Sequence, residues 1–212
     1  GSVEVSGLIL GRVLTNDSLA IQTAQNYYPG AEGRGVISVY SLSNLAGKPS
    51  TISSDHWLIG ASRDSLLLSP YSPTTGNDRS TRFRPFTVTQ MGTDGTVRRT
   101  ITGVNRVYPG GWLQRFSDPA AAAALATGTA GKDDDQTRAA WDALPTQIVD
   151  LNSGSTHDLM GGRAESVGVP TGPGLLISHE GADGNGSPQQ FWLSADDDGH
   201  PHTENLEQFA NK

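Results

Sequence analysis

The chain is interrupted at short intervals by residues that favour turns. Its 212 residues include 26 glycines and 12 prolines. Between these breaks lie runs rich in Val, Ile, Leu, Tyr and Thr, such as Val36–Leu42 and Ser65–Ser69. Such runs favour β-strands, and closely spaced turn residues leave little room for long helices. The sequence therefore predicts many short strands joined by tight connections.

The predicted strands fall on both sides of a helical region. We predict a mainly β fold, an antiparallel sandwich or distorted barrel, with a short Ala-rich helical insertion at about residues 118–145. Residues 1–195 are expected to form one β-rich domain, and residues 196–212 an acidic, peripheral C-terminal tail. The predicted strands are Val3–Leu14, Leu19–Thr23, Val36–Leu42, His56–Ala61, Ser65–Ser69, Arg82–Met91, Gln147–Leu151, Thr156–Met160, Gly174–Ser178 and Gln189–Ser194.

The helical region carries its own start and stop signals. Asp118 is a suitable N-cap, Pro119 suits the first helical position, and five alanines follow at Ala120–Ala124. Asp133-Asp134-Asp135 suits the start of a second helix because acidic groups interact favourably with a helix N-terminus. Pro145 should end that helix.

Two connections are predicted to be hairpin turns. Asp94-Gly95 is a type I′ dipeptide, which would pair Thr93 with Thr96. A turn at Ser153-Gly154 would place Asp150 opposite His157.

Composition and charge exclude several function classes. The formal charge is −7, which is unfavourable for contacts with nucleic-acid phosphates, so we expect no nucleic-acid partner. No run reaches 18 apolar residues, so we expect no membrane insertion. There is no cysteine, so disulfides and thiol chemistry are absent. No cofactor motif is recognisable, and we predict no cofactor. Gly1-Ser2 resembles the remnant of a cleaved tag, and no signal peptide is visible.

Aromatic residues next to turns are candidate ligand contacts. We predict that Tyr27, Tyr28, Tyr108 and Trp112 lie on loops and bind a ligand. Aromatic rings on a rigid β scaffold can stack on sugar rings or anchor a protein interface. The alternative is that the tryptophan rings fill the core.

Arginines form a local exception to the acidic composition. Seven arginines and one acid, Asp94, lie between Arg79 and Arg115. This segment could bind an anionic surface or the acidic regions of a neighbouring subunit, or it could be a solvated strand face. The candidate interface residues are Arg82, Arg84, Arg98 and Arg99.

The segment His200-Pro201-His202-Thr203-Glu204 is the best candidate for a metal site. In an extended chain His200, His202 and Glu204 project to one side, where two imidazoles and a carboxylate could converge. A solvated acidic tail is the simpler interpretation.

Catalytic signals are weak. An Asp150–His157 pair would form half of a general-base device, but no Gly-x-Ser-x-Gly elbow supplies a nucleophile. A pair of distant carboxylates, drawn from Glu32, Glu165 and Glu180, would suit glycoside hydrolysis.

The sequence favours a non-catalytic recognition module that binds carbohydrate or protein through its loop aromatics. We expect it to act outside the cell or on a cell or particle surface. One alternative is a structural, virion-type assembly protein that uses the arginine-rich segment and could form a homo-oligomer. The other is a carboxylate-dependent glycoside hydrolase.

Overall fold

A computed structural model describes residues 2–24, 35–70, 85–130, 132, 134–159, 164–166, 174–179, 189–195 and 201–205. Within them the chain forms fifteen strands and two helices. The fold is mainly β, with antiparallel sheets and a short helical insertion, which confirms the fold class predicted from the sequence. The strands are β1 Leu8–Leu14, β2 Ser18–Ala24, β3 Gly35–Ser41, β4 Ser50–Ser54, β5 Trp57–Ala61, β6 Ser65–Ser69, β7 Phe86–Gly92, β8 Val97–Tyr108, β9 Trp112–Phe116, β10 Thr146–Asp150, β11 Thr156–Leu159, β12 Ala164–Ser166, β13 Gly174–His179, β14 Gln189–Ala195 and β15 Pro201–Asn205.

The strands form three sheets in which neighbours follow the order of the sequence. The first sheet contains β1 to β4, the second contains β5 to β11, and the third contains β12 to β15. β15 lies within the segment predicted to be a peripheral tail and pairs with β14 at the edge of the third sheet.

The chain divides into two compact units. One covers Gly1–Arg82 and Phe86–Thr102, and the other covers Phe83–Pro85 and Gly103–Lys212. The prediction of a single domain over residues 1–195 stays a prediction.

In the first unit, the first sheet packs on strands β5 to β7. Aliphatic residues from the two layers form one core: Ala20, Ile37, Val39, Leu58, Leu66 and Leu68, with Val13, Ile52 and Met91 at its margin. Strand β6 is buried at every position, from Ser65 to Ser69. A strand buried on both faces is expected to be continuously apolar, as Leu66, Leu67 and Leu68 are.

In the second unit, the third sheet packs on strands β9 to β11 and the end of β8 in a core that includes aromatic residues. Its buried residues are Tyr108, Trp112, Ile148, Leu159, Leu175, Ile177 and Leu193. The helices contact the end of β9 in a smaller cluster, where Phe116 and Trp141 have ring centroids 5.4 Å apart.

The helix predictions are confirmed. Helix α1 is Pro119–Gly128, and the Asp118 carboxylate accepts hydrogen bonds from the N–H groups of Ala120 and Ala121 at 2.9 and 3.0 Å. Helix α2 is Asp135–Asp142, and Asp134 accepts from the N–H of Thr137 at 2.7 Å. That bond holds the pKa of Asp134 below its ordinary value.

The predicted geometry of the β7–β8 hairpin is wrong by one residue. The N–H of Gly92, not of Thr93, donates to the Thr96 carbonyl, and Gly95 has φ +87°. A type I′ turn requires positive φ at both central residues, and no non-glycine residue in the described part of the chain has positive φ. The loop therefore has three residues and a glycine bulge, and Asp94 stabilises it by accepting from the N–H of Thr96.

Candidate recognition surface

Two of the four predicted ligand-binding aromatics lie in the core. The side chains of Tyr108 and Trp112 are 6% and 4% exposed. They are cross-strand neighbours in β8 and β9, and the Tyr108 hydroxyl donates to Oε1 of Gln114 at 3.0 Å. This differs from the predicted loop-borne contacts, because a ring enclosed by other side chains cannot stack on a ligand at the surface. Tyr27 and Tyr28 lie outside the described residues.

The two described arginines of the predicted interface make contacts within their own unit. Nη1 of Arg98 binds Oδ2 of Asp64 at 2.6 Å, and Nη2 donates to the Asp64 carbonyl at 3.2 Å. The hydrogen bond from Arg98 is the largest cause that lowers the pKa of Asp64. Nε of Arg99 donates to Oε1 of Gln90 at 2.7 Å. Arg82 and Arg84 lie outside the described residues.

The structure brings two of the three predicted metal ligands together. Nε2 of His202 lies 3.4 Å from Oε1 of Glu204, on strand β15. His200 lies outside the described residues. Across the residues that the structure describes, no group of three or more His, Cys, Asp or Glu side chains could hold a metal ion.

The hypothesis that Asp150 faces His157 is wrong. The strand register pairs His157 with Ile148, because Asp150 pairs with Ser155 across a longer turn. The Asp150 carboxylate instead accepts from the N–H and Nδ2 of Asn152 at 2.9 and 3.0 Å, and from Oγ of Ser153 at 2.8 Å. It therefore stabilises its own turn. Of the candidate hydrolase carboxylates, Glu165 lies in β12, and Glu32 and Glu180 are outside the described residues.

A different surface, not identified from the sequence, lies on the first sheet. Side chains of paired residues in an antiparallel sheet share one face, and alternate residues of a strand do so as well. Ile9 pairs with Thr23, which pairs with Val36, and Leu14 pairs with Leu19, which pairs with Tyr40. These residues, with Arg12, define the outer face of the first sheet, opposite the face that carries Ala20 and Ile37.

Apolar residues on the outer face are exposed mainly along β1. Leu14 is 64% exposed, Leu19 is half-buried and Tyr40 is buried. Ile9 and Arg12 are also exposed. We call Ile9, Arg12 and Leu14 the β1 strip. The β1 strip combines two apolar side chains with one cation on a single strand.

β1 passes very close to β5 on the inner face of the first sheet. Gly11 pairs with the buried Gln22, and an ideal Cβ added to Gly11 would lie 2.5 Å from the carbonyl oxygen of Leu58. That close approach requires glycine at position 11. The β1 strip lies on the opposite face of the same strand.

Buried hydrogen bonds fix the first sheet from its inner side. Nε2 of Gln22 donates to the carbonyl of His56 at 2.8 Å, and Oε1 of Gln22 accepts from the N–H of Leu58 at 2.8 Å. Gln22 is almost fully buried. This amide ties β2 to the chain at the start of β5 through two hydrogen bonds.

One signal in the sequence could have identified the β1 strip. Leu8, Ile9 and Leu10 are consecutive, and Val13 and Leu14 follow, so β1 carries apolar residues on both faces. A strand with one face on the core and one in water should alternate apolar with polar residues.

Comparisons with known proteins identify no family for this chain. No family model and no curated protein matches it. Among solved structures, two variants of the apocarotenoid oxygenase of Synechocystis each align with 94% of this chain at 13% identity and a TM-score of 0.36. A structure described as the eukaryotic initiation factor aligns with 96% at 12% identity and a TM-score of 0.32. The chain spans about half the length of these proteins, 53% and 56% respectively. Neither helix in the described part of the chain has the length and apolar content to cross a membrane.

Proposed function

We propose that this chain is a non-catalytic recognition module that binds another protein through the β1 strip, outside the cell or on a cell or particle surface. The observation that carries the proposal is the exposure of Leu14 and Ile9 on the outer face of a sheet whose inner face is fully packed. The proposal keeps the recognition class that the sequence favours and replaces the loop aromatics with a sheet face.

The energetics of burial support a protein partner. Moving a leucine or isoleucine side chain from water into an apolar contact contributes about 1.5–3 kcal/mol. Grouped exposed apolar residues are typical of interaction sites, whereas single ones need no explanation. Leu14 and Ile9 lie on one strand and one face, so one partner surface could cover both.

The same residues favour protein over carbohydrate. Sugar recognition on β scaffolds relies on exposed aromatic rings, and both described candidates, Tyr108 and Trp112, are in the core. Aliphatic side chains such as Leu14 offer no flat ring for stacking. A protein surface with its own apolar residues complements the β1 strip better.

The proposal is tested with the neighbours Val13 and Leu14, which lie on opposite faces of β1. A recognition residue is dispensable for folding, so Leu14→Ser should leave the Tm within about 2 °C of the parent and reduce binding of an apolar fluorescent dye. Val13→Ser, the matched control, should lower the Tm because Val13 contacts the core. The measurements are thermal unfolding and dye fluorescence.

An equal loss of Tm in both variants would contradict the proposal, since Leu14 would then support the fold. Unchanged dye binding in Leu14→Ser would also contradict it, since the β1 strip would then not be an accessible apolar surface.

A further inference from the structure

We infer that the partner of the β1 strip is a second copy of this chain, and this inference rests on the function proposed above. Three observations carry it: the position of Leu14 along β1, the opposite charges on either side of it, and the size of the exposed strip. A second copy carries the same exposed leucine, so Leu14 of each chain would cover Leu14 of the other.

The β1–β2 hairpin can pack against the same hairpin of a second copy through a two-fold axis at Leu14. The axis lies in the interface plane, perpendicular to β1, and brings Leu14 of one copy against Leu14 of the other. The two β1 strands then run antiparallel across the interface. Leu14 is the most exposed of the large apolar residues in the described part of the chain, which suits the centre of such a contact.

The charges on the two sides of Leu14 have opposite signs. Arg12 precedes Leu14 by two residues, which is about 7 Å along a strand, and Asp17 follows it in the turn before β2. Both are exposed, and neither forms an ion pair with another residue that the structure describes. The two-fold axis reverses the strand direction, so it places Arg12 of each copy over the turn that contains Asp17 of the other. Charge contacts across an isologous interface are self-complementary when one patch carries both signs, and this hairpin carries both.

The extent of the strip predicts a weak dimer. Seven residues of β1 span about 24 Å, and a contact two or three strands wide, about 10–14 Å, would be about 240–340 Å² on each copy. This is well below the roughly 1,200–2,000 Å² in total that stable complexes bury. We therefore expect a monomer in dilute solution and reversible association only towards the highest concentrations, about 1 mM.

Charge reversal with mixing tests the contact directly. Sedimentation velocity of the parent chain from about 10 μM to 1 mM should show a reversible monomer–dimer equilibrium. Arg12→Asp alone and Asp17→Arg alone should each weaken it at least tenfold, because like charges then face each other. An equimolar mixture of the two variants should recover a dimer. At one contact, the carboxylate introduced at position 12 then faces the guanidinium introduced at position 17. At the symmetry-related contact, the native pair of Arg12 and Asp17 forms.

The apolar part of the contact is tested separately. Leu14→Ser should be monomeric, and Val36→Ser, on the same face but away from the axis, should weaken dimerisation less.

The mixture separates a contact between copies from one within a chain, which mixing cannot restore. Two single variants that stay monomeric when mixed, from a parent that dimerises, would overturn the Arg12–Asp17 geometry. A parent chain that is monomeric at 1 mM would overturn the inference as a whole. The function proposed above would survive that result if Leu14→Ser kept its Tm and lost dye binding, and the partner would then be a different protein.

Charge reversal is a sharper test than the salt dependence of dimerisation. Salt screens both the attraction between Arg12 and Asp17 and the repulsion between two chains of formal charge −7, and these two effects oppose each other.

Discussion

The two faces of the first sheet are built from alternate residues of the same strands, yet exposed apolar side chains lie mainly on the outer face, where Ile21 and Tyr40 are nevertheless buried. On the inner face, Ile37 is 0% exposed and packs against strands β5 to β7, while its neighbour Val36 on the outer face is 43% exposed. Gln22 anchors the inner face with two hydrogen bonds, whereas Arg12 on the outer face is exposed. Composition alone therefore says little about these positions, since apolar residues one position apart in the sequence differ widely in burial.

The largest expected effect is the difference in stability between truncating a side chain on the inner face and truncating one on the outer face. Ile37→Ala should lower the free energy of unfolding by about 2–5 kcal/mol, because it leaves a cavity in a packed core. Val36→Ala should change it by under about 1 kcal/mol, since the side chain remains partly in water. Denaturant titration of both variants checks this. Equal losses would mean that the outer face is also a core face.

An intermediate effect is expected from the buried amide. Gln22→Leu keeps the volume of the side chain but leaves the N–H of Leu58 without its partner. The carbonyl of His56 loses one of its two hydrogen bonds and keeps the one from Oγ of Ser54. We expect a loss of about 1–3 kcal/mol in the free energy of unfolding. Faster hydrogen exchange at the Leu58 amide would locate the effect. Thr23→Ala, one residue along on the outer face, is the control and should leave that amide protected.

The smallest expected effect concerns the surface ion pair of the same unit. The pKa of Asp64 is lowered by Arg98, so the pair stabilises the fold fully above the ordinary value of 3.8 and loses this effect as the pH falls through the lowered folded pKa. Both partners are largely exposed, so Asp64→Asn should cost less than about 1 kcal/mol at pH 7.

The difference between Asp64→Asn and the parent should disappear in acid, where Asp64 is protonated in both states of the parent. Urea unfolding at pH 7 and in acid measures it. If the variant remained less stable than the parent in acid, the loss of stability would come from packing and not from the charge of Asp64.

Local signals in the sequence predict most of the secondary structure. Asp118-Pro119 and Asp134 begin their helices as expected, because capping depends on residues a few positions apart. Strand β4 is missing from the prediction because Ser50–Ser54 is rich in hydroxyl side chains and has only Ile52 to contribute to the core. The turn type predicted at Asp94-Gly95 is wrong because the dipeptide fits two hairpin geometries, a two-residue type I′ turn and a three-residue loop that ends in a glycine bulge.

The candidate surface is harder to predict than the fold. Burial of Trp112 and exposure of Leu14 depend on which strands stack on which face, and this information is not local. The contacts of the arginine-rich segment are not local either: Arg98 and Asp64 are 34 residues apart in the sequence and meet only when β6 to β8 pair.

The complete burial of strand β6 has a consequence for the unfolded chain. Ser65–Ser69 is a short, uncharged and strongly apolar segment without proline, and such segments assemble into intermolecular β-structure when they are exposed. Arg63 and Asp64 directly precede it and place two charges at its boundary, in the position of gatekeeper residues. The native packing of β6 thus also hides the part of the described chain that is best suited to aggregation. Thermal unfolding at high protein concentration is accordingly expected to be irreversible, and refolding should be most efficient in dilute solution.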